Sequence, residues 1–231
     1  MKIVVLSGAG LSAESGIQTF RDKDGLWENY PVEEVASMEG FTSNPSLVHT
    51  FYNERRQQLR TVEPNAAHKA LADLEQTPGV KLFHVTQNID DLCERAGCRN
   101  VVHMHGELLK CRCLMCGKVT SWNQDTDIET ACPECGFISE WGGLRPHIVW
   151  FGEMPLRMNE IEAAIADCDL FAAIGTSGKV YPAAGFVSLA KGYGKKTVLL
   201  NKDAADNDSL FDEVITGSAG AVVPPWVKSF R

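Results

Sequence analysis

The sequence predicts an α/β protein: a Rossmann-like, doubly wound parallel sheet with a smaller domain made of two inserts. Short apolar segments that read as buried strands alternate with segments of helical periodicity, which is the order of a parallel sheet. A glycine-rich turn at Gly8 directly follows the first apolar segment. Two stretches interrupt the alternation, and one of them holds five of the eight cysteines. We therefore expect a helical insert and a cysteine-rich insert to form the smaller domain.

The apolar and amphipathic segments predict the elements in order. The predicted strands are 2–7, 80–86, 101–105, 169–175, 197–201 and 221–223. The predicted helices lie near 46–60, 64–76, 90–96, 155–167, 180–192 and 209–214. The domain boundaries follow from the two interruptions: a discontinuous Rossmann-like domain (1–20, 76–108 and 147–231), a helical module (21–75) and a cysteine-rich module (109–146).

Composition limits the classes of function. The chain has 231 residues, of which 44% are hydrophobic, and a formal net charge of −8. That charge argues against a nucleic-acid groove, because phosphate binding needs a basic surface. No apolar run reaches the roughly 18 residues of a membrane helix, and the first strand at Lys2 leaves no room for a signal peptide. We expect a cytoplasmic monomer without a membrane partner, whose cysteines bind metal or remain free thiols.

The turn after the first strand carries a dinucleotide fingerprint. Gly8, Gly10 and Ala13 occupy the small-residue positions of the G-x-G-x-x-G/A pattern, where backbone N–H groups approach a pyrophosphate. This pattern alone leaves an ordinary strand–turn–helix equally open. The loop then continues through polar and aromatic residues to Trp27, without the usual long helix and acidic ribose-binding residue. The ribose must therefore be held from elsewhere, and the loop could close over the reactive end of the dinucleotide.

Polar clusters stand at the carboxyl ends of the later strands, where open α/β sheets bind ligands. These clusters are 86–91, 103–106, 175–177 and Asn201. The Gly175-Thr-Ser turn suits phosphate or ribose hydroxyls, and Asn201 could replace the missing acidic residue. For any single cluster, a helix cap by Asp90 or Ser177 is an equally good interpretation. Together, however, the clusters predict a substantial site.

His105 is the best candidate for a general base. It ends a predicted strand beside the Asn88/Asp90 pair, and an imidazole with a pKa near 6.5 accepts a proton at neutral pH. His103 lies on the same face but deeper in the strand. A structural role is the more common one for a single histidine, so the case for His105 depends on its position at the mouth of the site.

The cysteine spacing predicts a structural zinc site. Cys113-x-x-Cys116 and Cys132-x-x-Cys135 are separated by fifteen residues, as in known four-cysteine zinc sites. Four thiolates complete a tetrahedron and leave no position for a substrate. Cys111 complicates the assignment, because in an extended strand it points to the same side as Cys113. Buried or redox-active cysteines are the alternative.

The helix near 46–60 places an arginine on an apolar face. At 100° per residue, Val48, Phe51, Tyr52 and Leu59 share one side, and Arg55 falls in its middle. A guanidinium there needs an anionic partner or a wet cleft. Tyr52 and Arg55 point the same way and could jointly bind a carboxylate. The alternative is an arginine that covers the core or pairs with Asp or Glu.

Together these segments resemble the sirtuin family of NAD-dependent protein lysine deacylases, and in detail its bacterial CobB type. The matching motifs are GAGLSAESGIQTFR, TQNIDDL, HMHGEL, the four cysteines, RPHIVWFGE and GTS. They span nearly the whole chain. The resemblance implies that residues 109–146 bind one structural zinc ion, that residues 21–75 hold the cofactor loop and a helical module, and that the Rossmann-like domain binds NAD as a co-substrate.

The resemblance also implies roles for matching residues. The implied NAD-binding residues are Gly8, Ala9, Gly10, Ala13, Thr19, Phe20, Arg21, Trp27, Gln87, Asn88, Ile89, Asp90, Gly175, Thr176, Ser177, Asn201, Lys202, Asp203 and Ala219. The implied catalytic residues are His105 as the general base, Asn88 and Asp90. The implied substrate residues are Ile148, Val149, Phe151 and Gly152, with Tyr52 and Arg55 for succinyl- and malonyl-lysine.

The reaction implied is transfer of an acetyl, succinyl or malonyl group from lysine to ADP-ribose, which gives nicotinamide and 2′-O-acyl-ADP-ribose. The expected partners are acylated-lysine proteins or peptides. Two alternatives remain at this point. A mono-ADP-ribosyltransferase would share nicotinamide release but leave ADP-ribose on the protein. A non-catalytic NAD-sensing module would need neither His105 nor the Asn88/Asp90 pair.

Overall fold

The computed structural model describes residues 1–18, the backbone of 26–27 and residues 30–231. In this part of the chain the strands are β1 (Lys2–Ser7), β2 (Leu26–Trp27), β3 (Tyr30–Pro31), β4 (Lys81–Thr86), β5 (Val101–His103), β6 (Gly106–Cys113), β7 (Val119–Ser121), β8 (Leu144–Ile148), β9 (Leu170–Ile174), β10 (Lys196–Asn201) and β11 (Glu213–Thr216). The α-helices are α1 (Val32–Val35), α2 (Met38–Ser43), α3 (Pro45–Leu59), α4 (Ala66–Glu75), α5 (Leu92–Arg95), α6 (Met158–Asp167), α7 (Phe186–Gly192) and α8 (Ala219–Lys228). Of the helices in these described ranges, none is long and apolar enough to cross a membrane.

A six-stranded parallel sheet forms the larger part of the molecule. Its order is β11-β10-β9-β1-β4-β5, so the first strand of the sequence lies near the centre. Lys2 pairs with Lys81 of β4, and Ile3 pairs with Leu170 of β9. A strand covered on both faces is apolar throughout, which explains the continuous run Ile3–Leu6. The predicted doubly wound parallel sheet is confirmed.

Two apolar cores cover the two faces of this sheet. Side chains alternate along β1, so Val5 enters one core and Leu6 enters the other. The first core also contains Leu71 of α4 and Val223 of α8. The second contains Ile161 of α6, together with residues of α7. The helices therefore flank the sheet on both sides and leave its carboxyl edge to the loops.

The smaller domain joins the two inserts. β6 pairs antiparallel with β7 and β8, and the α1–α3 helices pack against this sheet through a third core that includes Phe41, Phe51 and Trp150. α4 belongs to the predicted helical module by sequence, yet its apolar residues pack on the large sheet. The predicted domain boundaries stay predictions.

Two predictions near the carboxyl terminus are wrong. The predicted helix 209–214 is a short 3₁₀ turn, Asp208–Leu210, followed by the edge strand β11. The predicted strand 221–223 lies inside α8, where Ala219, Val223 and Val227 recur every four residues and are buried on one face. A three-residue apolar run cannot distinguish the period of a strand from that of a helix.

Candidate active site

A cavity of about 580 Å³ opens at the carboxyl edge of the large sheet, where the smaller domain faces it. It gathers most of the residues that the sequence singles out. Those lining it are Gly8, Ala9, Gly10, Ala13, Arg55, Gln87, Asn88, Ile89, Asp90, His105, Ile148, Val149, Phe151, Gly152, Gly175, Thr176, Ser177, Asn201, Lys202, Asp203 and Ala219. Tyr52 is fully buried and does not line it. Thr19, Phe20, Arg21 and the side chain of Trp27 lie outside the described residues.

Two glycine turns cross at the floor of the cavity. The Gly8 N–H donates to Ile174 O at 2.9 Å, and the Gly10 N–H donates to Gly175 O at 2.8 Å. A Cβ atom on Gly10 would lie 2.6 Å from Gly175 Cα, which real side chains do not tolerate. The glycines therefore let two backbone segments touch. From the sequence, the only role predicted for Gly10 was to let backbone N–H groups approach a pyrophosphate.

Ser12 organises the polar residues that follow β4. Its hydroxyl donates to Asp90 Oδ2 at 2.9 Å and accepts from Asn88 Nδ2 at 3.1 Å. His68 Nε2 lies 3.3 Å from the same oxygen. Burial raises the pKa of Asp90, whose other oxygen accepts the Leu92 N–H at the start of α5. Asp90 thus bonds to the first residue of α5 and also lines the cavity, whereas the contacts of Ser12 and His68 were not predicted.

His105 and His103 differ in their hydrogen bonds. His105 Nδ1 lies 3.1 Å from Gln87 O, a carbonyl that can only accept, so Nδ1 carries the proton and Nε2 of the neutral ring does not. Burial lowers the pKa of His105, which favours this neutral form. His103 instead contacts Asn88 O and Glu94 Oε1. Burial opposes its charge, but the Glu94 carboxylate outweighs that effect and raises the pKa of His103.

The four predicted metal ligands form one cluster. The ligand atoms of Cys113, Cys116, Cys132 and Cys135 lie within 4.8 Å of one another. Cys113 Sγ is 3.7 Å from Cys135 Sγ, and the N–H of Cys116 donates to Cys113 Sγ at 3.4 Å. An ion about 2.3 Å from each sulfur fits this all-thiolate set, and it matches the preference of structural zinc. The predicted clustering of these four cysteines is confirmed.

Cys111 lies outside that cluster. Its thiol is buried near Arg56, and burial raises the pKa of Cys111 to about 11. Arg56 in turn donates to Gln124 O and Thr126 Oγ1. This buried arginine therefore ties α3 to the zinc module, and Cys111 contributes to that contact instead of to the metal.

Comparison with known proteins identifies the family. The model of the Sir2 family matches residues 8–182. The chain belongs to the Sir2 family. This sirtuin is 57% identical to the NAD-dependent protein deacylase SIR2rp3 of Leishmania major, over 97% of this chain and 93% of that protein. It is 56% identical to an NAD-dependent protein deacylase of Pasteurella multocida, over 100% of this chain and 98% of that one.

Solved structures of the family match along the full sirtuin chain. A Sir2 homologue in complex with NAD has a TM-score of 0.89 and 38% identity, and the match covers 100% of this chain and 89% of that one. A Sir2 protein bound to an acetylated peptide has a TM-score of 0.82 and 26% identity, over 98% and 92% of the two chains.

Side-chain amides hold the part of the sirtuin cavity around the Gly175–Ser177 turn. Gln87 Nε2 donates to Thr176 Oγ1 at 3.1 Å. Asn201 Nδ2 donates to the carbonyls of Thr176 and Asp203, at 3.0 and 2.9 Å. Asn201 therefore positions the Gly175–Ser177 turn, and only its oxygen side is left for the ribose contact predicted from sequence.

Arg55 enters the opposite wall of the cavity. Its guanidinium lies 4.3 Å from the ring centre of Phe51, and its Nη2 atom is 3.3 Å from Glu54 Oε2. Its Nε and Nη1 atoms are buried without a hydrogen-bond partner. The Tyr52 hydroxyl accepts a hydrogen bond from Trp150 Nε1 at 2.9 Å, and burial raises the pKa of Tyr52. Arg55 is therefore partly buried and paired with Glu54, with two nitrogens that make no hydrogen bond.

An ion pair that was not predicted from the sequence holds residues 149–152, the strip that follows β8. Arg145 contacts both carboxylate oxygens of Glu153, at 2.6 and 2.9 Å, and stacks on Trp150 at 3.5 Å. Burial opposes ionisation of Glu153, but the hydrogen bonds from Arg145 and Trp150 outweigh it and lower the pKa of Glu153. The ends of the strip are held too, because Val149 and Phe151 donate to His105 O and Ala36 O.

Proposed function

We propose that this sirtuin is an NAD-dependent protein lysine deacylase that removes acetyl, succinyl and malonyl groups, giving nicotinamide and 2′-O-acyl-ADP-ribose. The observation that carries the proposal is His105, a neutral imidazole with an unprotonated Nε2, on the wall of a cavity built from two glycine turns. The full-length relatives that are named NAD-dependent protein deacylases support it.

NAD occupies the sheet edge in this proposal. The pyrophosphate lies at the crossed turns of Gly8–Ala13 and Gly175–Ser177, where the backbones already meet. The adenosine half lies toward Asn201–Asp203 and Ala219, and the nicotinamide ribose lies toward Gln87–Asp90. The solved complex of a Sir2 homologue with NAD supports this assignment. Thr19, Phe20, Arg21 and Trp27 complete the cofactor loop.

In the proposed reaction, residues of the chain orient the nicotinamide ribose, supply a general base and exclude water from the site. Asn88 and Asp90, fixed through Ser12, orient the nicotinamide ribose. His105 Nε2 takes a proton from a ribose hydroxyl, and Nδ1 remains bonded to Gln87 O, which keeps the ring orientation. The apolar side chains of Ile148 and Val149 exclude water until the acyl group has left lysine. No step needs the zinc ion, whose four ligands are all protein thiolates.

The extended strip 149–152 is proposed to hold the substrate peptide. Three of its N–H groups already donate within the chain: Val149 to His105 O, Trp150 to Glu153 Oε2 and Phe151 to Ala36 O. Pairing with a peptide therefore falls on Gly152 and on strip carbonyls. The solved Sir2 protein with an acetylated peptide supports peptide binding by this fold. The substrates proposed are acylated-lysine proteins, with this sirtuin acting as a cytoplasmic monomer.

Arg55 is proposed to bind the carboxylate of a succinyl or malonyl group. Arg55 lines the cavity, and its Nε and Nη1 atoms have no hydrogen-bond partner in the chain, so a carboxylate bound beside the guanidinium would supply one. The predicted second contact, Tyr52, lies three residues earlier on α3 but is buried outside the cavity lining, where its hydroxyl accepts from Trp150 Nε1, so the carboxylate contact is proposed for Arg55. An acetyl group has no carboxylate, so it would leave Arg55 unsatisfied while still fitting the cavity.

A turnover assay with NAD and acetyl-, malonyl- and succinyl-lysine peptides tests the proposed reaction. We expect nicotinamide, free lysine and O-acyl-ADP-ribose in equal amounts, measured by mass spectrometry. ADP-ribose attached to the peptide would instead identify a mono-ADP-ribosyltransferase. NAD binding without turnover on any peptide would identify a sensing module.

The Arg55→Met variant tests the acyl specificity. We expect kcat/KM for succinyl-lysine to fall about tenfold or more, the value of one charge-assisted hydrogen bond, while kcat/KM for acetyl-lysine changes little. Arg99→Met is the matched control, because Arg99 is exposed. Equal losses on both peptides would refute the carboxylate contact without affecting the proposed deacylation.

A further inference from the structure

A second group of metal-ligating side chains lies in the described part of the chain, away from the four-cysteine cluster. It consists of His84 on β4, Cys93 on α5 and Cys98 shortly after α5. The three ligand atoms lie within 4.8 Å of one another, and all three residues are buried. They belong to the α4 side of the large sheet, between the sheet and its flanking helices.

The imidazole of His84 presents a lone pair that the chain does not use. Ser7 Oγ donates its hydrogen to Thr86 Oγ1 at 2.9 Å. In its second contact, to His84 Nε2 at 2.9 Å, the Ser7 hydroxyl therefore accepts a hydrogen bond from the Nε2–H group. Nδ1 of the neutral ring is then unprotonated, and it is buried without a hydrogen-bond partner. Burial lowers the pKa of His84 to about 3, which keeps the ring neutral. A histidine held through one nitrogen with the other open is the usual arrangement of a metal ligand.

The two thiols complete a donor set whose charge suits a buried site. The Cys93 and Cys98 sulfurs lie within 4.8 Å of each other, and the neighbouring Cys98 thiol together with burial raises the pKa of Cys93. Two thiolates balance a divalent cation, so the filled site carries no net charge into the core. Sulfur and imidazole ligands select thiophilic borderline ions such as Zn²⁺.

We propose that His84, Cys93 and Cys98 form a second, buried binding site for a thiophilic divalent metal ion, with Zn²⁺ as its representative. Binding replaces the two S–H bonds by two metal–sulfur bonds, releases two protons to solvent and adds the His84 Nδ1 lone pair. In a site with metal–sulfur distances of about 2.3 Å the sulfurs lie about 3.8 Å apart, so the side chains close by about 1 Å at most.

The proposed site adjoins the carboxyl edge through hydrogen bonds. His84 contacts Ser7, Ser7 contacts Thr86, and Thr86 Oγ1 accepts the N–H of Asn88 at 3.1 Å. A bound ion would hold the His84 end of this series of hydrogen bonds and would link β4 to the α5 region. We expect a higher melting temperature with the second ion bound, because a ligand specific for the folded state stabilises it.

Zinc stoichiometry tests the proposal. Protein prepared with one zinc per chain and a thiol-free reductant is titrated with Zn²⁺ against a chromophoric chelator. We expect a second site in the natural sequence, and its loss in Cys93→Ala and in Cys98→Ala. Cys168→Ala is the matched control, because Cys168 is a buried free thiol outside both clusters, and it should keep the second site.

A second measurement uses the natural sequence, so that it tests the site even if the cysteine variants fold poorly. A second equivalent supplied as Co²⁺ should give sulfur-to-cobalt absorption of two thiolates while the zinc content stays at one. Saturation at one metal per chain, with Cys93 and Cys98 recovered as free thiols or as a disulfide, would overturn the proposal. A second ion that persists in folded Cys93→Ala and Cys98→Ala would overturn it as well.

Discussion

The two walls of the cavity are built by different means. At the sheet edge, backbone bonds between the Gly8–Gly10 and Gly175 turns hold the loops, and few charged side chains are involved. On the opposite wall, charged side chains hold the structure. Arg145 pairs with Glu153, and two guanidinium nitrogens of Arg55 have no hydrogen-bond partner. The first wall depends on residues that lack side chains. The second depends on the exact pairing of side chains that carry charge.

His105 is where the two walls meet, because its ring bonds to Gln87 O and its carbonyl accepts from Val149. We predict the largest effect for His105→Ala, a loss of roughly 10²–10⁴ in kcat, the usual worth of a general base. The measurement is steady-state turnover of an acyl-lysine peptide. His147→Ala is the control, since His147 does not line the cavity. Unchanged turnover in His105→Ala would remove the base from the proposed chemistry.

Arg145→Met tests the wall built from charges. It leaves the Glu153 carboxylate without its main partner, and we expect a loss of about 3 kcal/mol in the free energy of unfolding, at the low end for buried pairs because Glu153 is partly exposed. Chemical denaturation measures this change. Arg157→Met breaks an exposed pair with Glu160 and should cost below about 1 kcal/mol. Similar losses in both variants would mean that burial of the pair is unimportant.

Gly10→Ala tests the wall built from backbone. The added methyl group meets Gly175 Cα, and overpacking of this kind costs about 1–3 kcal/mol. We expect a higher KM for NAD together with a lower melting temperature. Gly192→Ala adds the same atom in open space within α7, so it should leave KM for NAD unchanged and should not lower the melting temperature. If Gly10→Ala bound NAD normally, the contact between the two turns would not matter for the cofactor.

The smallest effect we predict is in the pH profile. Because burial lowers the pKa of His105, the base stays unprotonated at pH values somewhat below 6.5. The acid limb of kcat/KM should therefore lie below pH 6.5, and activity should fall only as the pH drops through that lowered value. Measured with acetyl-lysine, which has no titrating acyl carboxylate, a limb above pH 6.5 would contradict this assignment.

The sequence predicts the backbone-built wall better than the charged wall. Apolar runs and glycine turns are local patterns, so β1 and the turn at Gly8 could be predicted directly, and the C-x-x-C pairs have a fixed spacing. Trp150 bonds to Tyr52, which is distant in sequence, and Arg145 stacks on Trp150 while it pairs with Glu153. No local pattern signals such a contact, so the sequence analysis missed it.

Ser12 and His68 were missed for the same reason. Ser12 reads as part of a glycine-rich loop and His68 as a helical residue, yet folding places both beside Asn88 and Asp90. The carboxyl-terminal errors have a different cause. The 221–223 run is too short to show a period, and only packing of Val223 in the first core makes it helical.

The central position of β1 has a consequence for the order in which the molecule can form. β1 needs partners that follow it in the sequence, since Lys2 pairs with Lys81 of β4 and Ile3 pairs with Leu170 of β9. After β4 is made, the other edge of the apolar segment Ile3–Leu6 stays unpaired until β9 follows, and contacts between residues so far apart in sequence form slowly. The carboxyl edge of the sheet therefore assembles late in synthesis. During that interval the open edge of β1 can pair with other chains, so it is a place where aggregation is expected and a chaperone would help.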